Sequence, residues 1–427
     1  MNRVATSRRE PFDIAVVGAG VIGCAAALAF GRDGWRVALV EAQAPTPWRA
    51  ETPDLRVYAF APDNAALLDD LDVWRNVVSA RVQPYRAMRV WDAAGGGELA
   101  FAAERLGRSE LGWIVEHGLL VDRIWNAVQR AGVTMHCPQR VIALEQSLPR
   151  TRSGDADSAT LTLEDHSQLR ARLVIAADGP DSALRELAGL AATRHDYGQR
   201  AVVAYVETEL PHGDTAWQRF LPGGPLAFLP CANASGDARG DGHTSSIVWT
   251  VPDADAQRLL ALDDAAFRSE LTRAFDATLG EVIAVGKRVA FPLRRQLAQD
   301  YVAGRVVLAG DAAHVVHLLA GQGVNLGLRD VAALRELVGS HAQRSSGQDR
   351  RAARERIAPQ LSITPQRLAR YARERKSENA LAAYSFEGLN RLFSNDSPLP
   401  TLLRGRLLGL FGRITPLVDR LARHAAG

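Results

Sequence analysis

Gly18, Gly20 and Gly23, set in DIAVVGAGVIGCAAALAF, have the spacing of a phosphate cradle. Gly18 allows a tight turn and Gly20 lets backbone amides approach a pyrophosphate. Gly23 lets the next helix lie close to the strand, so that the helix dipole favours a diphosphate. The following apolar run, RVALVE, ends at Glu41, whose carboxylate is placed to accept hydrogen bonds from a ribose diol. A glycine triplet alone is a weak signal. With a strand before it, a helix after it and Glu41 at the expected remove, it predicts a dinucleotide site, with a purely structural turn as the alternative.

Two further stretches carry polar residues at the ends of apolar strands. LRARLVIAADG ends at Asp178-Gly179, where Asp178 could simply cap the helix that follows. Arg185, one helical turn beyond Ser182, reads equally well as a solvated residue or as part of a site. Later, VVLAGDAAHVVHLLAGQGVNLGLRD runs from a buried strand into Gly310-Asp311 and then into a glycine loop that opens a helix. His314 and His317 form one pair without supporting carboxylate or thiol ligands, which is poor evidence for a metal, and none is expected. No Ser-His-Asp arrangement or carboxylate pair is asserted.

The elements that must position these residues read as an α/β chain. Strand, helix and strand patterns fill residues 12 to 42, and a helix is expected around Asn64 to Leu71. Residues 82 to 101 alternate like an antiparallel hairpin, and Leu119 to Ala131 has helical periodicity. From Ala201 to Phe291 the pattern is mostly extended, with a helical piece from Asp264 to Leu279. The expected division is a discontinuous Rossmann-like nucleotide domain over 1–81, 102–190 and 292–345. A mixed β-sheet substrate domain takes 82–101 and 191–291, and a helical region takes 346–427.

Composition sets the outer limits. At 427 residues and 47% hydrophobic content, the chain can bury a large core in two or three units. A net charge of +3 argues against nucleic acid as the main partner, although only Lys287 and Lys376 are lysines and the remaining cations are arginine. Cys24, Cys137 and Cys231 have no metal or disulfide spacing, which fits a reducing cytoplasm. Arg8-Arg9 before an apolar run imitates an export signal, but Glu10, Pro11 and Asp13 interrupt it, so no leader is expected. No run reaches the ~20 apolar residues of a membrane span.

Three landmarks in order, GAGVIG, ADGPDSALRELAG and GDAAHVVHLLAGQGVNLGLRD, resemble the aromatic-ring flavoprotein hydroxylases, the class A monooxygenases of the para-hydroxybenzoate hydroxylase type. The phrases RVYAFAP, LGWIVEHGLL, DYGQ, TAWQRFLPGGPLAFLP, SSIVW, FPL and RLFSN look like the branch that hydroxylates polyprenylated aromatic precursors of ubiquinone. The resemblance covers nearly the whole chain. It implies one tightly held FAD, with Gly18, Gly20, Gly23 and Glu41 on its ADP half and Arg56 near the flavin. Asp178 and Gly179 are associated with both FAD and the reduced nicotinamide, while Asp311 reaches the ribityl chain and Gly310 beside it is a further cofactor-binding position. Gly321, Gln322, Gly323 and Asn325 are carried over as flavin-binding positions, because a helix N-terminus there can aim donors at the pyrimidine edge.

The implied chemistry is reduction of FAD by NADPH or NADH, capture of O2, and transfer of one oxygen atom to an electron-rich phenol. Trp217, Arg219, Phe220 and Phe228 lie in phrases expected to face the substrate, with His317 and Leu318 bordering the pocket. Leu318 stands where relatives commonly have proline, and Val121 where they often have a polar side chain reaching the cofactor. The segment TLLRGRLLGLFGRITPLVDRLARH, within residues 400–427, could rest on anionic lipid, meet a partner of a biosynthetic complex, or dock on the chain's own core. The alternatives are a hydroxylase of a small soluble aromatic acid, a flavin halogenase, for which no tryptophan-x-tryptophan signature is found, and an FAD-containing assembly subunit without catalysis.

Overall fold

The computed structural model describes residues 10–93, 98–146, 158–232, 242–316, 323–339 and 363–393, with side chains described through residue 384. His317, Leu318, Gly321, Gln322 and the segment 400–427 lie outside the described residues.

The chain is an α/β protein built on two large sheets. In the first, Phe12–Val17 lies between Val37–Val40 and Gln168–Ala176, and Val306–Leu308 continues the sheet, all four parallel. Where they pair, from Leu173 onward in Gln168–Ala176, these strands are apolar and almost wholly buried, as expected of a parallel sheet covered on both faces. The helix Val21–Arg32 carries the cover on one side. It is rich in small apolar residues buried around its circumference, because it packs against the sheet and against the helices His117–Arg130 and Gly323–Val338.

Register decides where the site falls. Val17 pairs with both Val40 and Ala176, and Ala176 pairs with Leu308. Four strands therefore end level with one another, bringing the turn at Gly18, Glu41, the Ala177–Gly179 turn and the Gly310–Asp311 turn to one edge. Ligands of open parallel sheets bind at this carboxyl edge.

The second sheet has nine strands, with Ala192–Thr208 at its centre. One face, from Val202, Ala204, Phe228, Ile247 and Trp249, is covered by the helices Asp253–Ala261 and Asp264–Ala274. The expected hairpin is present as Ala87–Asp92 paired with Glu98–Ala102, but Gln83–Tyr85 instead joins a small sheet with Val57–Phe60 and Gly112–Glu116. Strand Val289–Ala298 crosses residue 291 and stays in the nine-stranded sheet, where His314–Val315 pairs with its end. That last pairing ties the two sheets together at the carboxyl edge. Beyond them, Pro365–Phe393 is one 29-residue helix. None of the described helices is long and apolar enough to cross a membrane.

Candidate functional site

A cavity of about 850 Å³ runs from the carboxyl edge of the parallel sheet to the open face of the nine-stranded sheet. At its first end, Gly18 has φ +100°, and a Cβ there would stand 2.3 Å from the Ala177 carbonyl oxygen. A Cβ on Gly23 would stand 1.8 Å from the Gly18 carbonyl oxygen, so turn and helix are in backbone contact. Gly20 is different: a Cβ there would meet nothing within 4 Å. It faces the cavity, and as N-cap of Val21–Arg32 it has no side chain to occupy the first-turn amides. Those amides remain available to an anion. Glu41 lines the same end, its Oε2 accepting from the Ala19 amide at 2.5 Å and its Oε1 from Gln43 at 2.9 Å. Each carboxylate oxygen can still accept a second hydrogen bond.

Asp311 also lines the cavity, and among the described residues none donates a hydrogen bond to its carboxylate. It caps no helix, since Ala309 holds the N-cap position without a side-chain bond. The turn behind it is tightly built. Gly310 has φ +59°, and its amide donates to Asp330 Oδ2 at 2.9 Å. His314, 1% exposed, bonds the same oxygen through Nε2 at 2.7 Å. The imidazole that raised the question of a metal is thus held by a fully buried carboxylate. The other landmark in this wall is Gly327, absent from the sequence reading. A Cβ there would stand 2.7 Å from Ile22 Cδ1 and 3.1 Å from Gly310 Cα, so this glycine permits the helix Gly323–Val338 to reach the turn.

Arg56 lines the cavity with its guanidinium 5.4 Å over the Tyr58 ring, and it makes no ion pair among the described residues. Beneath it, the Tyr58 hydroxyl and His117 Nδ1 are 2.9 Å apart. Burial, together with the Arg56 charge and against the opposing pull of Asp54, pushes the His117 imidazole down to about 4. It is neutral at pH 7, so its Nδ1 can accept a hydrogen bond from the tyrosine hydroxyl. The loop carrying Arg56 is pinned by two carboxylates that sequence reading missed. Asp54 accepts from the amides of Arg56 and Gly118, and Glu116 accepts from Trp48 Nε1, the Asp54 amide and Arg81.

Asp178 and Gly179 line the cavity, yet both Asp178 oxygens are engaged. One accepts from Ser182 Oγ at 2.5 Å and the other from the Leu184 amide at 3.1 Å. Burial raises its pKa above the ordinary carboxylate value in spite of these bonds. The N-cap of the helix Ala183–Leu187 is Ser182, whose hydroxyl accepts from the Arg185 amide, and Asp178 braces that cap while taking a further first-turn amide. Arg185 is not a solvated residue: it is 2% exposed and bridges the carbonyls of Pro180 and Ala312, joining two turns of the cavity wall.

Several expected positions fall away from the cavity. Gly310 packs behind the wall against Ile22, and Gly23 packs beneath the turn. Asn325 is fully buried and spends its amide on the Ala61 amide, the Ala59 carbonyl and Asn64. It staples the helix Gly323–Val338 to the strand Val57–Phe60, while Gly323 and Val324 reach the cavity. Val121 packs in the core of the parallel sheet. Strand alternation places Trp217 and Phe228 on the helix-covered face of the nine-stranded sheet, Phe228 stacking on Phe275 at 3.9 Å. Arg219 bonds the Ala274 carbonyl, and Phe220 packs with Val90. None of these four lines the cavity. Its apolar end is walled instead by Leu55, Val203, Val248, Phe291, Pro292, Leu293, Val315 and Val316. Period-two alternation offered that signal, since Val203 and Val248 have the opposite parity to the residues packed under the helices, but the sequence does not say which face is open.

Residues 11–352 match the family model described as an FAD binding domain. The chain is 36% identical over 329 residues to the 3-demethoxyubiquinol 3-hydroxylase of Escherichia coli, covering 76% of this chain and 79% of that protein. It is 36% identical over 426 residues to the ubiquinone hydroxylase UbiL of Rhodospirillum rubrum, covering 99% and 91%. The mitochondrial ubiquinone biosynthesis monooxygenase COQ6 of Danio rerio is 30% identical over 99% of this chain and 91% of its own. Among solved structures, the p-nitrophenol 4-monooxygenase PnpA of Pseudomonas putida superposes with a TM-score of 0.70 at 19% identity, covering 98% of both chains, which shows a shared fold. On these matches, this chain belongs to the FAD binding domain family and, within it, to the ubiquinone-biosynthesis hydroxylases.

Proposed function

We propose that this protein hydroxylates the aromatic ring of a polyprenylated phenol in ubiquinone biosynthesis, as an FAD-dependent monooxygenase drawing on O2 and on NADPH or NADH. One oxygen atom enters the ring C–H as a hydroxyl. The other leaves as water, formed with the two electrons and hydrogen of the reduced nicotinamide and a proton. The observation that carries this reading is one cavity with two chemically different ends: amides, Glu41 and Asp311 at one, eight apolar walls at the other.

The residues present fit FAD. Gly20 leaves open space where a diphosphate needs it, and Asp311 offers a carboxylate that no described residue satisfies. In this reading the first-turn amides of Val21–Arg32 hold the diphosphate, Glu41 the ribose, and Asp311 a ribityl hydroxyl. Gly323 and Val324 open a helix whose dipole favours negative charge on the ring edge. Arg56, Asp178 and Gly179 border the same space. FAD, when bound, supplies the electron and oxygen-transfer chemistry; the chain orients the phenol and keeps water out with Val203, Val248, Phe291 and Val315.

Mixing the FAD-loaded protein with NADPH or NADH, O2 and matched phenols with and without a prenyl tail tests this. The prenylated phenol should accelerate nicotinamide oxidation and yield a product heavier by one oxygen atom. Preference for the tailless phenol would point to a small-acid hydroxylase, and bound FAD without product to a non-catalytic subunit. Asp311→Ala should lose most of the bound flavin while staying folded; full yellow colour would remove Asp311 from the site.

A further inference from the structure

The helix Pro365–Phe393 begins beyond residue 352, where the match to the family model ends, yet it reaches the back of the cavity wall. Tyr371, Arg375 and Asn379 recur at every fourth position, so they share one face, and all are buried. The Tyr371 hydroxyl donates to the Leu308 carbonyl at 2.9 Å, at the end of the strand that leads into Gly310. Arg375 Nε donates to Asp330 Oδ1 at 2.7 Å, and Asn379 donates to the same oxygen at 3.3 Å. Asp330 Oδ2 meanwhile takes the Gly310 amide and His314, the two ends of the turn that carries Asp311. One carboxylate, 0% exposed, thus has its turn-holding oxygen on one side and the guanidinium that neutralises it on the other.

We infer that Arg375 is a positioning residue for FAD: by holding Asp330 it fixes the Gly310–Asp311 turn, so that docking of the helix Pro365–Phe393 and filling of the cofactor site are one coupled event. The inference rests on the FAD site described above. A buried carboxylate stripped of its cation is costly, and it relaxes toward whatever donors it can still reach. Here those donors are Asn379 on the helix and Gly310 and His314 at the turn, so part of the cost falls on the turn that presents Asp311. Coupling is reciprocal, and FAD must therefore tighten the helix as much as the helix tightens FAD.

The experiment uses the full chain, freed of flavin and titrated with FAD by fluorescence quenching, alongside hydrogen exchange of residues 365–384. Wild type should show slower exchange in that segment on adding FAD. Arg375→Met, which keeps the apolar stem, should weaken FAD by about 5- to 100-fold and lose most of that slowing. Asp330→Asn should weaken it comparably, and the double variant should add little to either single one, as residues acting through one contact do. Arg375→Lys, which keeps the charge, should recover part of the affinity. FAD bound within twofold of wild type by a folded Arg375→Met overturns the inference, as does exchange in 365–384 that ignores FAD in the wild type. If Arg375→Met does not fold, Asp330→Asn decides: unchanged affinity overturns the proposal, and weaker FAD at an unchanged flavin-free melting point sustains it. A wild-type chain that binds no FAD would defeat the family reading itself, a different result.

Discussion

At the scale of single residues, the site separates side chains that face the cavity from those whose bonding is already used. Asp311 has no described donor, whereas Asp178 has two and Asn325 has both ends of its amide engaged. His117 is a residue whose environment makes a sharp prediction. Its folded pKa lies near 4, below the unfolded value near 6.5, because burial and Arg56 disfavour the cation. Between those values the unfolded chain binds the proton more readily, so stability is retained above the unfolded pKa and falls as pH drops through the window. His117→Gln can still accept from Tyr58 and has no proton to gain. Urea midpoints of the flavin-free protein at about pH 4.5 and pH 7.5 should show a loss on acidification smaller by about 2–3 kcal/mol in the variant. Identical losses in both proteins would show that His117 does not titrate in this window.

At the scale of elements, what matters is how closely two helices approach the parallel sheet. Val21–Arg32 does so because Gly23 and small side chains let it, and Gly323–Val338 because Gly327 sits against Ile22 and Gly310. Asn325 then fixes the second helix to the strand Val57–Phe60. Asn325→Ala should leave the Ala61 amide and the Ala59 carbonyl buried without that partner, at a cost of about 2–4 kcal/mol, since each such group costs about 1–3. Chemical denaturation of the flavin-free chain checks this; a loss below about 0.5 kcal/mol would mean that the staple is replaced by other donors. The same logic explains why sequence reading took Asn325 for a cofactor ligand: its place in GQGVNLG marks the element, and only the fold shows the amide turned toward Ala59 and Asn64.

At the scale of the whole molecule, the cavity is shared between two sheets, one supplying polar strand ends and the other an apolar face. Because His314–Val315 pairs with Val289–Ala298 and the same turn carries Asp311, a ligand there braces both sheets. FAD at about 100 times its Kd should add about 2.7 kcal/mol of stability. Trp35, Trp74 and Trp113 report on the first half and Trp91, Trp217 and Trp249 on the second, so thermal unfolding followed by tryptophan fluorescence should show one transition moved upward as a unit. Two transitions, only one sensitive to FAD, would show that the sheets unfold independently.

The sequence by itself determined the class of the chain, the glycine turn at Gly18, the place of Glu41 at a strand end, and the strand-to-turn passage into Asp311. These are local signals, each written within a few residues by glycine spacing and apolar runs, and the level strand ends follow from them once the sheet is parallel. Tertiary structure alone decided which face of the nine-stranded sheet is open, that Arg185 and Asn325 serve the walls, and that a helix after residue 365 neutralises Asp330. The reason is physical: alternation and periodicity fix which side chains share a face, but what lies opposite that face depends on contacts between segments from 45 to 264 residues apart, and no local pattern encodes them.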